Sequence, residues 1–382
     1  MTGVTTRLPQ WTVEVHRGDA ALTAVRTEWD DLVARCPSAT PFQAHAWLAS
    51  WWRYYGRPGQ LRVVLVRRDG RLVAAAMLGR QRRWGVTVAR PVGGALSDFT
   101  DVLADGEVPG RALAGVLARQ RDWHVLDFPE TRPGSVAGTA LRAAWRGRQW
   151  SLPASTCLEL PAAGAAELIA ALPSHARKTV RRRVNQIERL RVHTRAVPAN
   201  QCARAVADLL ALHARQWQGR AVNAAHLRPE FAGHLTRAVR AMVAAGQAAL
   251  LEYTVDGQLV ASNLVLTGPA LAGGYLYGAD PRLRDQIDIS TLLVTSTLDQ
   301  ARQRGCAAMS MLRGTEPYKL RWRPTEVANS RILLARPGSA PALCYAAGVR
   351  LRSAALGWAR RRAPWLRAVR DAVTRMSVRR SR

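Results

Sequence analysis

Two Asp-Gly pairs, Asp69-Gly70 and Asp256-Gly257, lie in stretches that superimpose without a gap: Val63 to Leu78 falls on Leu250 to Val265, and Leu72-Val73-Ala74 on Leu259-Val260-Ala261. An Asp-Gly pair between two apolar runs is a hairpin signal, because both turn positions need a positive φ that these residues tolerate. The order of helices, paired strands, helix and strand repeats around each pair. The chain therefore reads as a duplicated α/β unit.

In the first half, residues 11–17 alternate like a strand and 20–35 carry apolar residues at helical spacing. A tryptophan-rich helix with Trp47, Trp51 and Trp52 precedes the hairpin strands 61–66 and 72–78. Helix 110–120, strand 123–128 and helix 136–147 follow, before a break at Trp150-Ser151-Leu152-Pro153. Leu158-Glu159-Leu160 reads as a bridging strand. The second half has a basic helix over 175–191, helices over 200–217 and 228–245, a strand over 247–253, the apolar run Gly274 to Ala279 and a helix over 289–304. The expected domains are 1–155, 156–340 and a basic tail, 341–382. At 382 residues with 48% hydrophobic content, two cores can be filled.

The net charge is +29. A field of that sign favours phosphorylated ligands, nucleic acid or an anionic lipid surface. No helix-turn-helix, zinc-finger or RNA-stacking signature accompanies it, so sequence-specific DNA is not an expected partner. Five scattered cysteines and eight histidines lack metal-ligand spacing, and the cysteines read as small buried hydrophobes of a reducing compartment. With no apolar signal core and no membrane-length run, a cytoplasmic protein is expected.

The densest chemistry is Leu312-Arg313-Gly314-Thr315-Glu316-Pro317-Tyr318-Lys319-Leu320-Arg321-Trp322. Cys306 to Leu312 reads as a buried strand, Gly314 as a sharp turn and Pro317 as an early helical position. Glu316, Tyr318 and Lys319 then stand at a strand-to-helix junction, where α/β folds collect function. The alternative is structural: Arg313 paired with Glu316, Lys319 solvated, and Tyr318 packed beside Trp322. Lysine usage favours a special role, since the chain has two lysines, Lys178 and Lys319, among its 56 basic residues. An ammonium is a compact, titratable donor that a guanidinium does not replace.

Helix 175–191 sets Arg177, Lys178, Arg181, Arg182, Arg183 and Arg189 over an apolar seam of Val180, Val184 and Ile187, as a solvated face or as a grip on phosphate. The start of helix 289–304, with Arg282 and Arg284 nearby and Ser290 and Thr291 in its first turn, is a second candidate anion site, with Asp288 as its N-cap. After Cys344 two helical patterns flank Pro364, the second with Trp365, Leu366, Val369, Val373 and Met376 on one side. Residues 346–382 hold eleven arginines and one acid, a composition suited to an anionic membrane surface, to packing on the body, or to a disordered basic end.

The hairpin order and the closing Arg-Gly-x-Glu-x-Tyr-Lys-x-x-Trp motif resemble the GNAT acyltransferases, most of all the CelD-like bacterial acetyltransferase domains related to the FemABX aminoacyl transferases. The resemblance spans residues 40–335 and implies a tandem GNAT-like α/β fold with two mixed sheets flanked by helices. It implies N-acyl transfer from acetyl-CoA or another acyl-CoA to an amine of a sugar, lipid or cell-envelope precursor. The alternatives are a FemABX-like enzyme using aminoacyl-tRNA and a non-catalytic binding module. By this likeness Lys319 stabilises the oxyanion and Tyr318 protonates the leaving group. Glu316 or Asp98, the latter in Ser97-Asp98-Phe99, accepts the amine proton. Arg313, Arg282, Arg284, Ser290 and Thr291 hold the donor, and Lys178, Arg181 and Trp322 the substrate. One departure stands out. The family's Arg/Gln-x-x-Gly-x-Gly/Ala loop reads Arg284-Asp285-Gln286-Ile287-Asp288-Ile289, with isoleucines for both glycines and two added aspartates.

Overall fold

The computed structural model describes residues 4–8, 11–216, 226 and 228–362. The first unit opens with β1 (Val4–Leu8), β2 (Trp11–Arg17), α1 (Ala20–Ala24), α2 (Arg26–Arg35) and α3 (His45–Tyr55). The helix expected over 20–35 is broken at Val25. The hairpin is β3 (Leu61–Arg68) and β4 (Arg71–Arg83), followed by β5 (Val86–Pro91), the short β6 (Leu103–Ala104), α4 (Glu107–Arg119) and β7 (Val125–Thr131). A π-helical turn leads through α5 (Arg142–Ala144) into the long β8 (Gln149–Pro161).

The second unit contains α6 (Ala165–Ala171), α7 (Ser174–Arg189), β9 (His193–Ala196), α8 (Cys202–Gln216) and α9 (Pro229–Ala244). Its hairpin, β10 (Ala248–Val255) and β11 (Gln258–Thr267), continues into β12 (Leu271–Ala279), α10 (Leu283–Gln286), α11 (Ile289–Gln303) and β13 (Ala308–Arg313). Then come α12 (Pro317–Leu320), β14 (Thr325–Ala335) and α13 (Ala340–Arg362). The tail pattern around Trp365 lies outside the described residues.

The duplication read from sequence extends to backbone detail. Asp69 and Gly70 have φ of 49° and 79°, and Asp256 and Gly257 have 48° and 76°. Each hairpin also carries a bulge at the matching place, between Val66 and Arg67 in β3 and between Tyr253 and Thr254 in β10.

The two expected sheets are halves of one continuous sheet, ordered β1-β2-β3-β4-β5-β7-β14-β8-β13-β12-β11-β10-β9 with β6 beside β4. Each half is mixed, because β5 runs parallel to β7 and β12 parallel to β13. The seam is made by β14, which pairs antiparallel with β7 on one side and β8 on the other. A boundary at 155/156 therefore falls inside a strand that both units use. One core spans the units, joining Trp29, Trp47 and Trp52 to Leu235, Val239 and Leu250. A second lies between the C-terminal half-sheet, α7 and α11, and a third beneath α13.

Beneath α13 sits Asp127, fully buried. Arg90 and Arg331 donate to its carboxylate, Arg331 Nε at 2.8 Å, and the Tyr345 hydroxyl donates at 2.7 Å. Burial opposes the charge, but these donors win and hold the carboxyl below its usual range. The network ties β5, β7, β14 and α13 together at the seam.

Candidate active site

The parallel pair of the second unit is short. Only Leu271–Gly273 pair with Ala308–Ser310, and beyond them the strands diverge. On the other edge of β12, Leu264 pairs with Leu276 and Val265 with Gly274, leaving Tyr275 as an extra residue. A bulge bends its strand and re-aims the side chain. Tyr275 points into the inter-unit core, 5.1 Å from the Trp47 ring, and donates to the Leu96 carbonyl at 3.1 Å.

The opened space is a cavity of about 560 Å³. Asn263, Gly274, Tyr277, Ser310 and Met311 contribute from β11, β12 and β13, and Leu293 and Thr297 from α11. Its rim is cationic: Arg182 and Arg183 of α7, Arg284 of α10 and Arg321 after α12, with Asp285 and Asp288 as the acids. A second groove along α7, lined by Arg177, Lys178, Arg181 and Arg189, joins it through the shared Arg182 and Gln186.

Tyr318 reaches this cavity because of the turn that carries it. Leu312 and Gly314 both have positive φ, 56° and 108°, and a Cβ on Gly314 would lie 2.5 Å from Glu316 Oε1. Lys319 closes the turn. Its ammonium is 4% exposed and donates to the carbonyls of Arg313 at 3.0 Å and Gly314 at 3.3 Å, with Glu316 Oε2 at 2.8 Å. The three donor positions of an ammonium are thereby occupied. Lys319, expected to stabilise an oxyanion, does not line the cavity, and Glu316, expected as a base, is its ion-pair partner. Burial pushes the Tyr318 phenol well above its usual pKa, so it stays protonated as a donor.

The N-terminus of α11 lies on the cavity wall, and Asp288 is its N-cap residue without a side-chain cap bond. Its carboxylate is engaged elsewhere. Arg183 donates to it, as do Arg321 at 2.9 Å, Ser290 Oγ at 2.7 Å and Thr291 Oγ1 at 3.1 Å.

The remaining expected residues divide. Ser290 and Arg284 line the cavity. Thr291 is buried behind it, and Arg282 is exposed outside it. Lys178 and Arg181 are exposed on the α7 groove, so the two lysines occupy opposite environments. Trp322, expected to touch substrate, is 4% exposed in the second core and is a packing residue. Arg313 does not face the cavity either: it is paired with Asp98 and donates to the Ala95 carbonyl at 3.2 Å. Burial raises the Asp98 carboxyl pKa, against the pull of Arg313. This pair belongs to a polar cluster between the units in which Glu130 accepts from Ser155 Oγ at 2.6 Å and Asn329 Nδ2 at 3.2 Å. Sequence reasoning missed Asn263, Tyr277 and Ser310. Their signal was the Gly274-Tyr275-Leu276-Tyr277 run, whose bulge no pattern announces.

Residues 174–320 match the family described as an acetyltransferase (GNAT) domain, a span that begins with α7 and ends one residue after Lys319. This match assigns a GNAT domain to that span of the second unit. Among solved structures, the C-terminal domain of a candidate lysylphosphatidylglycerol synthetase from Agrobacterium fabrum is similar over 87% of this chain and 97% of its own, at 15% identity and TM-score 0.54. FemX is similar over 81% and 96%, at 11% identity and TM-score 0.56. L-PGS from Bacillus licheniformis is similar over 85% and 95%, at 11% identity and TM-score 0.52. These likenesses concern the fold. No curated protein sequence matches the chain. The GNAT-type acyltransferase fold gives the cavity between the parted strands its chemical context.

Proposed function

We propose that this protein is an N-acyltransferase whose donor lies in the cavity between β12 and β13 and whose acceptor is an amine of a sugar, lipid or cell-envelope precursor. The observation that carries the reading is the coincidence of parted strands, a protonated Tyr318 and an arginine rim in one cavity. The amine nitrogen attacks the acyl carbon, the bond from that carbon to the leaving sulfur or oxygen breaks, and the nitrogen releases a proton to water. Tyr318 donates its hydroxyl proton to the leaving atom and recovers one from solvent. Lys319 holds the turn that aims the phenol, and Arg313, fixed by Asp98, holds the same turn to the first unit.

The donor is acyl-CoA with its phosphates on Arg182 and neighbouring α7 residues, since Asp288 fills the end of α11. The α7 groove, continuous with the cavity, favours a second donor, aminoacyl-tRNA, whose phosphodiesters suit an extended cationic track. Incubation with labelled acetyl-CoA or aminoacyl-tRNA and amine acceptors distinguishes them, and transfer from neither donor sinks the reading. The division into domains 1–155, 156–340 and 341–382 belongs to the same proposal, as does a cytoplasmic location at the inner membrane face. In support of the latter, α13 holds five arginines and no acid in sequence, and Leu351 is 73% exposed. No helix among the described residues is long and apolar enough to cross a membrane.

A further inference from the structure

The GNAT resemblance implies a donor diphosphate at the N-terminus of α11, where backbone N–H groups and the helix dipole attract an anion. The residues present do not fit that placement. Isoleucines 287 and 289 stand where glycines would admit the phosphates, and both are buried, so their side chains are part of the second core. At the centre of the same turn is an aspartate already holding two arginines, Arg183 from α7 and Arg321 from the turn after α12. The hydroxyls of Ser290 and Thr291 donate to that carboxylate too. Two guanidinium groups and two hydroxyls form the set of donors that would otherwise recognise a phosphate.

We propose that Asp288 determines where donor phosphates can lie: its carboxylate stands in for a phosphate at the start of α11, keeping the diphosphate of a nucleotide such as coenzyme A from binding there tightly. This inference rests on the N-acyltransferase reading and adds which residue keeps the donor's phosphates off the end of α11. Asp285 is the internal control. It lies on the same rim with the same charge, but it is exposed, and Arg183 and Arg321 pair with Asp288 instead.

The test is calorimetric titration of full-length wild-type, Asp288→Asn and Asp285→Asn proteins with coenzyme A. Removing the carboxylate frees two arginines, so Asp288→Asn binds coenzyme A about tenfold more tightly, with a steeper salt dependence, as expected of charge-assisted phosphate contacts. Asp285→Asn changes affinity by about twofold or less, as expected of a screened surface charge. Asp288→Ser, which keeps a good N-cap residue, gives the same reading if the asparagine variant folds poorly. The inference is overturned if Asp288→Asn binds coenzyme A no more tightly than Asp285→Asn. It is equally overturned if binding weakens, for then Asp288 positions the arginines for phosphate. The titration does not depend on turnover, so failure of acyl transfer with every donor would remove the proposed function and leave this comparison standing.

Discussion

The two units share a hairpin, its bulge and a parallel strand pair, yet they use the space beside that pair differently. In the second unit, β12 bulges at Tyr275 and swings from β13, leaving a cavity. In the first, β5 pairs with β4 over six residues without a bulge and meets β7 only at Val88–Ala89, so the strands part there too but leave no such cavity among the described residues. The segment after β5 turns inward and packs: Phe99 is 1% exposed, 5.8 Å from the Phe42 ring and beneath the Arg132 guanidinium. The acids near the two sites differ as well. Asp101 is buried and accepts backbone N–H groups of Val102, Val136 and Ala137 at 2.8–2.9 Å, whereas Asp288 is held by arginines at a cavity mouth. The bulge at Tyr275 accompanies the site and its absence the scaffold, although the strand order around both is the same.

The comparison can be broken by experiment. The largest expected effect is on the scaffold side. Asp127→Ala leaves the half-buried Arg90 and Arg331 without their partner and lowers unfolding free energy by about 3 kcal/mol, read by urea denaturation, without lowering kcat of the folded protein. Next comes the joint between units, where His234 of α9 packs 4.6 Å from the Trp47 ring and its Nε2 has no hydrogen-bond partner among the described residues. Burial lowers its pKa from 6.5 to about 4. The unfolded chain therefore takes up a proton first as pH falls, and His234 subtracts about 3 kcal/mol between pH 6.5 and 4. Asp101, raised by burial from 3.8 to about 7, acts in the opposite sense, since the unfolded carboxyl ionises first as pH rises. The two contributions offset in the wild type. A His234→Leu variant exposes the Asp101 limb as stability that falls from pH 4 to 7, and a flat profile would contradict this account.

On the catalytic side, Tyr318→Phe lowers kcat about a hundredfold with little change in Tm, the loss expected of a general acid. On the scaffold side, Phe99→Leu lowers stability by about 1–2 kcal/mol and leaves kcat alone. If Phe99→Leu impaired turnover as Tyr318→Phe does, the division of labour would be wrong. The smallest effect is that of Lys178→Gln, which weakens tRNA binding about twofold and reduces its salt slope by about one unit if the α7 groove carries the polyanion.

The repeat and the hairpins were legible because an Asp-Gly turn between apolar strands is a local code. Lysine usage singled out Lys319, although not its burial or its three partners, which depend on how the chain closes at Gly314. The Asp98–Arg313 pair joins residues 215 positions apart, and no local pattern links them. β14 went unread because Thr325–Ala335 mixes charged and apolar residues and is a strand through the neighbours on both its edges. β8 was read only at residues 158–160, since Pro153 and Pro161 break its pattern.

The position of β14 also bears on how the protein is made. A ribosome delivers β7 and β8 long before the strand that belongs between them, so the amino-terminal half waits with two open edges until residues 325–335 emerge. Open edges invite pairing with other chains, and distant pairings form late. A nascent chain stalled short of this strand should need chaperones, and neither half should be obtainable alone in a well-behaved form.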